Sequence, residues 1–72
     1  MQASRIEGKR KEIGMTQKEV ADVLGIKVST YRKKAFPPGR FSDEQKILLS
    51  KLFSLDYRQF NDIFYEGQLP PP

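Results

Sequence analysis

The chain has 72 residues, which is one small domain whose thin core must be packed efficiently to be stable. It has no cysteine and no histidine, so disulfide staples, thiolate metal sites, a cysteine nucleophile and the commonest general base are all excluded. Thirteen Lys and Arg against nine Asp and Glu give +4, a balance that favours anionic partners without choosing between nucleic acid, a membrane surface and an acidic protein.

Helical signals recur along the chain and strand signals do not. Ser4 and Glu7 have the spacing of a capping box, in which a hydroxyl and a carboxylate satisfy the backbone N–H groups of a helix start. Ala3, Ile6, Arg10 and Ile13 follow on one face of a first helix, and Gly14 suits its end. Gly8 weakens this helix by about 1 kcal/mol relative to Ala. Thr16 and Glu19 form a second capping box, with Met15 and Val20 as a hydrophobic staple, and predict a second helix over 17–24 ended by Gly25. A third helix is expected over 28–35, although Lys27 is a poor cap and Ser29 offers a later start. It stops before Pro37-Pro38-Gly39, since proline disfavours helix in the residue before it. Ser42 and Gln45 open a fourth helix over 43–54, with Leu48, Leu49, Leu52 and Phe53 as its core stripe. Asp56 and Gln59, stapled by Leu55 and Phe60, open a fifth over 57–64.

The expected organisation is all-α: a compact bundle of about five short helices in one domain over 1–66, followed by a flexible, Pro-rich tail over 67–72. The longest apolar run, Ile47-Leu48-Leu49, is far short of the ~20 residues that span a bilayer. With no apolar leader, a cytoplasmic protein is expected, nucleoid-associated if it binds DNA, with no membrane partner.

The most informative stretch is Thr16 to Lys34. Gln17, Ala21, Gly25 and Ile26 have the spacing of a helix-turn-helix. Ala21 is small where a second helix crosses, Gly25 permits the left-handed turn, and Ile26 fills the space between the helices. Two short helices at a steep angle project the second one outward, towards a DNA major groove. The charge distribution agrees. Residues 1–40 carry ten basic and four acidic side chains, whereas residues 41–72 carry three and five.

The segment GMTQKEVADVLGIKVSTYRKK resembles the Cro- and lambda-repressor-type, XRE-like helix-turn-helix regulators, and the resemblance extends from residue 5 to about 60. It implies a five-helix lambda-repressor-like fold, binding of double-stranded operator DNA, and association as a homodimer. The short chain and the ending FNDIFYEGQLP further resemble small regulators of lytic/lysogenic switches in temperate phages of Gram-positive bacteria. That group includes the modulator-of-repression antirepressors of lactococcal phages, which act on a phage repressor protein.

The resemblance places Gln17 at a phosphate, where it also supports base readout, Lys18 at the DNA backbone, and Lys27, Val28, Ser29 and Thr30 at base edges. Arg32 and Lys33 follow one turn on, and Lys34 and Arg40 add backbone charge. Arginine reads guanine best, because its fork pairs with O6 and N7 together. Arg10 matches a position used in an internal ion pair. Three residues depart from the family pattern: Tyr31 for Ile or Val, Lys34 for an aliphatic residue, and Ala35 for an acidic one. An antirepressor would use the same residues on a repressor's DNA-binding domain. Phe64, Tyr65 and Leu69 are candidates for an association surface, or else for closure of the core. No metal, cofactor, small-molecule substrate or catalytic residue is expected. The carboxylates sit at caps or exposed helix positions, and no glycine-rich phosphate loop is present.

Overall fold

A computed structural model describes residues 4–36 and 38–71. Ala3, expected on the buried face of the first helix, lies outside the described residues, as do Pro37 and Pro72. The fold is all-helical. Among the described residues five helices run in order: α1 (Arg5–Glu12), α2 (Gln17–Leu24), α3 (Val28–Ala35), α4 (Asp43–Leu52) and α5 (Tyr57–Tyr65), with a 3-10 turn, Pro38–Arg40, between α3 and α4. Among the described residues there is no strand, and no helix is long and apolar enough to cross a membrane.

Three helix starts form as their sequences dictate. At α2, α4 and α5 the side chains of Thr16, Ser42 and Asp56 accept from the backbone N–H three residues on. Glu19, Gln45 and Gln59 return the bond to the cap residue. The fourth expected box, Ser4 with Glu7, does not form. Ser4 makes no cap bond with its side chain, and its buried hydroxyl has no partner among the described residues. The Glu7 carboxylate is engaged elsewhere, with partners that matter more to the fold.

The boundaries of α2 and α3 agree with the sequence pattern. Gly25 ends α2 at φ +70°, and the Ile26 N–H bonds back to the Ala21 carbonyl. Lys27 is the residue before α3 and caps nothing with its side chain. Helix α4 ends two residues early, at Leu52, because Phe53 leaves helical geometry and Ser54 turns to φ +53°. Helix α5 runs one residue further than expected, to Tyr65.

The core joins Ile6 of α1, Val20, Ala21 and Leu24 of α2, Tyr31 and Ala35 of α3, Leu49 of α4 and Ile63 and Phe64 of α5. Phe41 sits between α3 and α5, 6.0 Å from the Tyr31 ring and edge-on to Phe64 at 6.5 Å. Phe53 completes the cluster. Two residues expected inside are outside. Ile13 is 48% exposed because α1 ends before it, and Leu48 is 41% exposed because α4 buries Leu49 and Lys46 instead. Lys46 is buried along its stem and places its ammonium 4.1 Å from the centre of the Tyr65 ring.

Beyond α5 the chain is held at Leu69 and Pro70. Asn61 pairs with both the N–H and the carbonyl of Leu69, and the Tyr57 hydroxyl donates to the Pro70 carbonyl.

Two glycine substitutions should have opposite effects. A Cβ at Gly8 or at Gly25 meets nothing within 4 Å, but only Gly25 has positive φ. Gly8→Ala is expected to stabilise the protein by about 1 kcal/mol through helix propensity. Gly25→Ala is expected to destabilise it by about 1 kcal/mol through left-handed strain. Urea unfolding of both variants checks the pair.

Candidate nucleic-acid interface

The site is assembled around one carboxylate. Glu7, buried on α1, accepts from Arg10 twice, Nε–H at 2.8 Å and Nη2–H at 3.0 Å. Gln17, the first residue of α2, donates from Nε2 at 2.8 Å. The Tyr31 hydroxyl, from α3, donates at 2.6 Å. One side chain therefore ties the first three helices together. Burial raises the pKa of this carboxyl, but the donors from Arg10, Tyr31 and Gln17 outweigh it and hold the value at about 2. Burial and the bond to Glu7 push the Tyr31 phenol well above its ordinary range. The bond to Glu7 also raises Arg10. Arg10 reaches further and donates to the Met15 carbonyl at 2.6 Å, which fixes the turn leading into α2.

This arrangement explains the unusual inner face of α3. Tyr31 stands where Ile or Val is common in the family the sequence resembles, and its exposure is 0%. Its ring supplies the apolar bulk and its hydroxyl supplies the donor that Glu7 needs. Ala35, also at 0%, is small enough to let the helix sit close. The acid that pairs with Arg10 is on α1, three residues away, rather than on α3.

The two faces of α3 are thus sharply divided. Tyr31 and Ala35 point inward, while Ser29, Arg32 and Lys33 are exposed, as is Lys27 just before the helix. Thr30 is half-buried at the margin. Val28 is half-buried and packs on the core, which leaves only part of its side chain for a partner. Arg40 is exposed on the 3-10 turn.

Four of the expected contact residues, Gln17, Arg32, Lys34 and Lys18, have internal partners. The Gln17 amide is engaged at both ends: Nε2 donates to Glu7, and Oε1 accepts from the Nε–H of Arg32 at 2.8 Å. Lys34 is half-buried and donates to Gln45 Oε1 at 3.0 Å, the same oxygen that accepts from the Ser42 N–H in the α4 cap. It therefore links α3 to α4 rather than reaching outward. Lys18 is exposed and pairs with Asp22 at 3.0 Å, one turn on, a contact worth little in water.

The expected association surface is only partly available. Phe64 is 4% exposed and belongs to the core, stacked edge-on with Phe41 and Phe60. Tyr65 and Leu69 are half-buried, the first beneath Lys46 and the second clamped by Asn61. The Glu7–Tyr31 bond spans 24 positions and was not anticipated from spacing. The signal was present as a phenol at an inward position together with a carboxylate on the inner face of α1. Among the described residues, no group of three or more acidic side chains could hold a metal ion.

Residues 6–33 match the helix-turn-helix family model, a stretch that begins at the buried Ile6 and ends on the outer face of α3 at Lys33. That family consists of DNA-binding regulators rather than enzymes. Comparison with curated proteins and with solved structures finds no match to the chain.

The network carries a pH dependence whose sign is fixed. The pKa of Glu7 is lower in the folded protein than its ordinary 4.5, so its ionised form stabilises the fold above about pH 4.5. That contribution, about 3 kcal/mol, is lost as pH falls from there towards 2. Glu7→Gln should remove about 3 kcal/mol at neutral pH, since it leaves Arg10 without its partner, and should flatten the acid limb of the stability curve. Tyr31→Phe should cost about 2 kcal/mol and leave the protein folded. Urea titrations at several pH values measure all three.

Proposed function

We propose that this chain, whose residues 6–33 match the helix-turn-helix family model, is a transcriptional regulator that lays α3 in the major groove of operator DNA. The observation that carries this reading is the division of α3. Its inner face is fully buried, and its outer face presents Ser29, Arg32 and Lys33, with Lys27 at its start. These side chains suit the anionic, hydrogen-bonding floor of a groove. Lys33, Lys27 and Arg40 supply phosphate attraction, and Ser29 and Arg32 supply contacts to base edges. Thr30 and the exposed part of Val28 lie at the edge of the same surface. The resemblance to small temperate-phage regulators supports placing the protein in a lytic/lysogenic genetic switch.

A second reading is favoured by the outer side of α2. There Val23 is 45% exposed, and Glu19 and Asp22 place carboxylates beside the basic residues. An apolar spot among mixed charges suits a protein partner better than a phosphate backbone does. In this reading the helix-turn-helix surface covers the N-terminal DNA-binding domain of a phage repressor and blocks its access to the operator.

Selection of duplexes from a randomised pool, followed by mobility shift, separates the two. A regulator enriches a defined site, and its affinity falls steeply with salt. Lys27→Ala or Lys33→Ala should weaken binding across all sequences and reduce the salt slope by about 1 each. If no sequence is enriched while the protein co-elutes with the repressor domain, the antirepressor reading replaces the first.

A further inference from the structure

Helix α4 is apolar on two opposite sides. Its inner side buries Leu49 and the stem of Lys46, and Phe53 continues that side. Ile47 and Leu48 project the other way, at 51% and 41% exposure. The remaining large apolar residues exposed among those described, Ile13, Val23, Phe36 and Tyr57, stand one to a helix or turn, whereas these two are adjacent. At about 100° per residue, Glu44, Ile47, Leu48 and Lys51 fall in one strip about 100° wide. Glu44 and Lys51 lie on its midline, and the apolar pair lies between them. All four side chains are exposed. Glu44 and Lys51 make no ion pair among the described residues. They are about 10 Å apart along the helix, too far to pair with each other, and within α4 neither has an opposite charge three or four positions away.

We propose that this strip is a contact face on which α4 of a second copy lies antiparallel. The order of the charges selects that occupant. A twofold axis running across the helix between Ile47 and Leu48 gathers the apolar pairs of both copies into one cluster. The same axis sets Glu44 of each copy beside Lys51 of the other, once at each end. The strip is therefore its own complement. A parallel pairing would instead oppose Glu44 to Glu44 and Lys51 to Lys51. Apolar burial supplies the attraction, and the charges fix direction and register. The C-terminal residues expected to associate are otherwise engaged: Phe64 in the core, Tyr65 beneath Lys46 and Leu69 on Asn61. The strip is short beside a standard protein interface, so the dimer is weak and forms at high protein concentration. None of its residues lies on α3, so the inference stands or falls apart from the DNA-binding reading.

Sedimentation equilibrium of the full chain at concentrations up to about 1 mM tests this. A reversible monomer–dimer equilibrium is expected, and Leu48→Glu should abolish it. Glu44→Lys alone and Lys51→Glu alone should each weaken association by roughly 10-fold, because each sets like charges against one another at both ends. Mixing these two single variants in equal amounts should restore it. One chain then carries only cations at the two positions and the other only carboxylates. The substituted side chains are exposed, and thermal melts of each variant monitor folding. A chain that stays monomeric throughout the range overturns the inference. A dimer indifferent to Leu48→Glu also overturns it, since the contact would then lie elsewhere. Single charge variants that associate as well as the unaltered chain rule out the antiparallel register, and a mixture that recovers nothing rules out direct pairing of Glu44 with Lys51.

Discussion

A carboxylate placed inside a small protein must be surrounded by donors or it will take up a proton, and this requirement organises the first three helices. Glu7 receives its donors from its own helix, from the start of α2 and from the inner face of α3. Each donor comes from a different direction, so satisfying the carboxylate also fixes how the helices lie on one another. Apolar packing by Ile6, Val20, Ala21 and Leu24 supplies attraction, but attraction of that kind tolerates sliding. Directional bonds to one pair of oxygens do not. The projection of α3 therefore depends on a polar contact that the apolar core encloses.

The same contact changes the meaning of the positive charge in the N-terminal half. A count of basic residues treats them as equivalent, and the structure separates them. Arg10 is held internally by Glu7, Lys34 is tied to the cap of α4, and Lys46, in the acidic half, lies over an aromatic ring. Lys27, Lys33 and Arg40 face solvent. The exposed positive charge is smaller than the charge count suggests, and around α3 it comes down to Lys27, Arg32, Lys33 and Arg40.

The helices were largely legible because their ends are written locally. Thr16 with Glu19, Ser42 with Gln45 and Asp56 with Gln59 each need only three residues of context to specify a start. The turn at Gly25 is equally local. The places where sequence reasoning failed all required knowledge of what lies across the fold. Ser4 and Glu7 have correct capping spacing, yet Glu7 serves tertiary partners up to 24 positions away. Leu48 and Leu49 are adjacent and chemically identical, and only the position of α4 on its neighbours decides that Leu49 is the buried one. Phe64 and the tethered Leu69 show the same limit at the C-terminus. Helix α3 lies where the motif placed it. Which of its basic residues face outward followed only from the bonds of Gln17 and Lys34.

The polar hub sits on the helix least able to form alone. Helix α1 has only eight residues, begins without a side-chain cap and carries Gly8 at an open position. Isolated helices of that length are marginal in water. Its persistence therefore derives from Ile6 and Glu7, that is, from contacts with α2 and α3. If α1 opens, Tyr31 and Gln17 lose their common acceptor at once, and a buried phenol is left unpaired. Fraying from the N-terminal side cannot stop at the end of α1, because the cost of releasing it falls on the other two helices. Helices α1 to α3 are thus coupled into one unit, and the slowest-exchanging amides of α1 are expected to share the protection of α3.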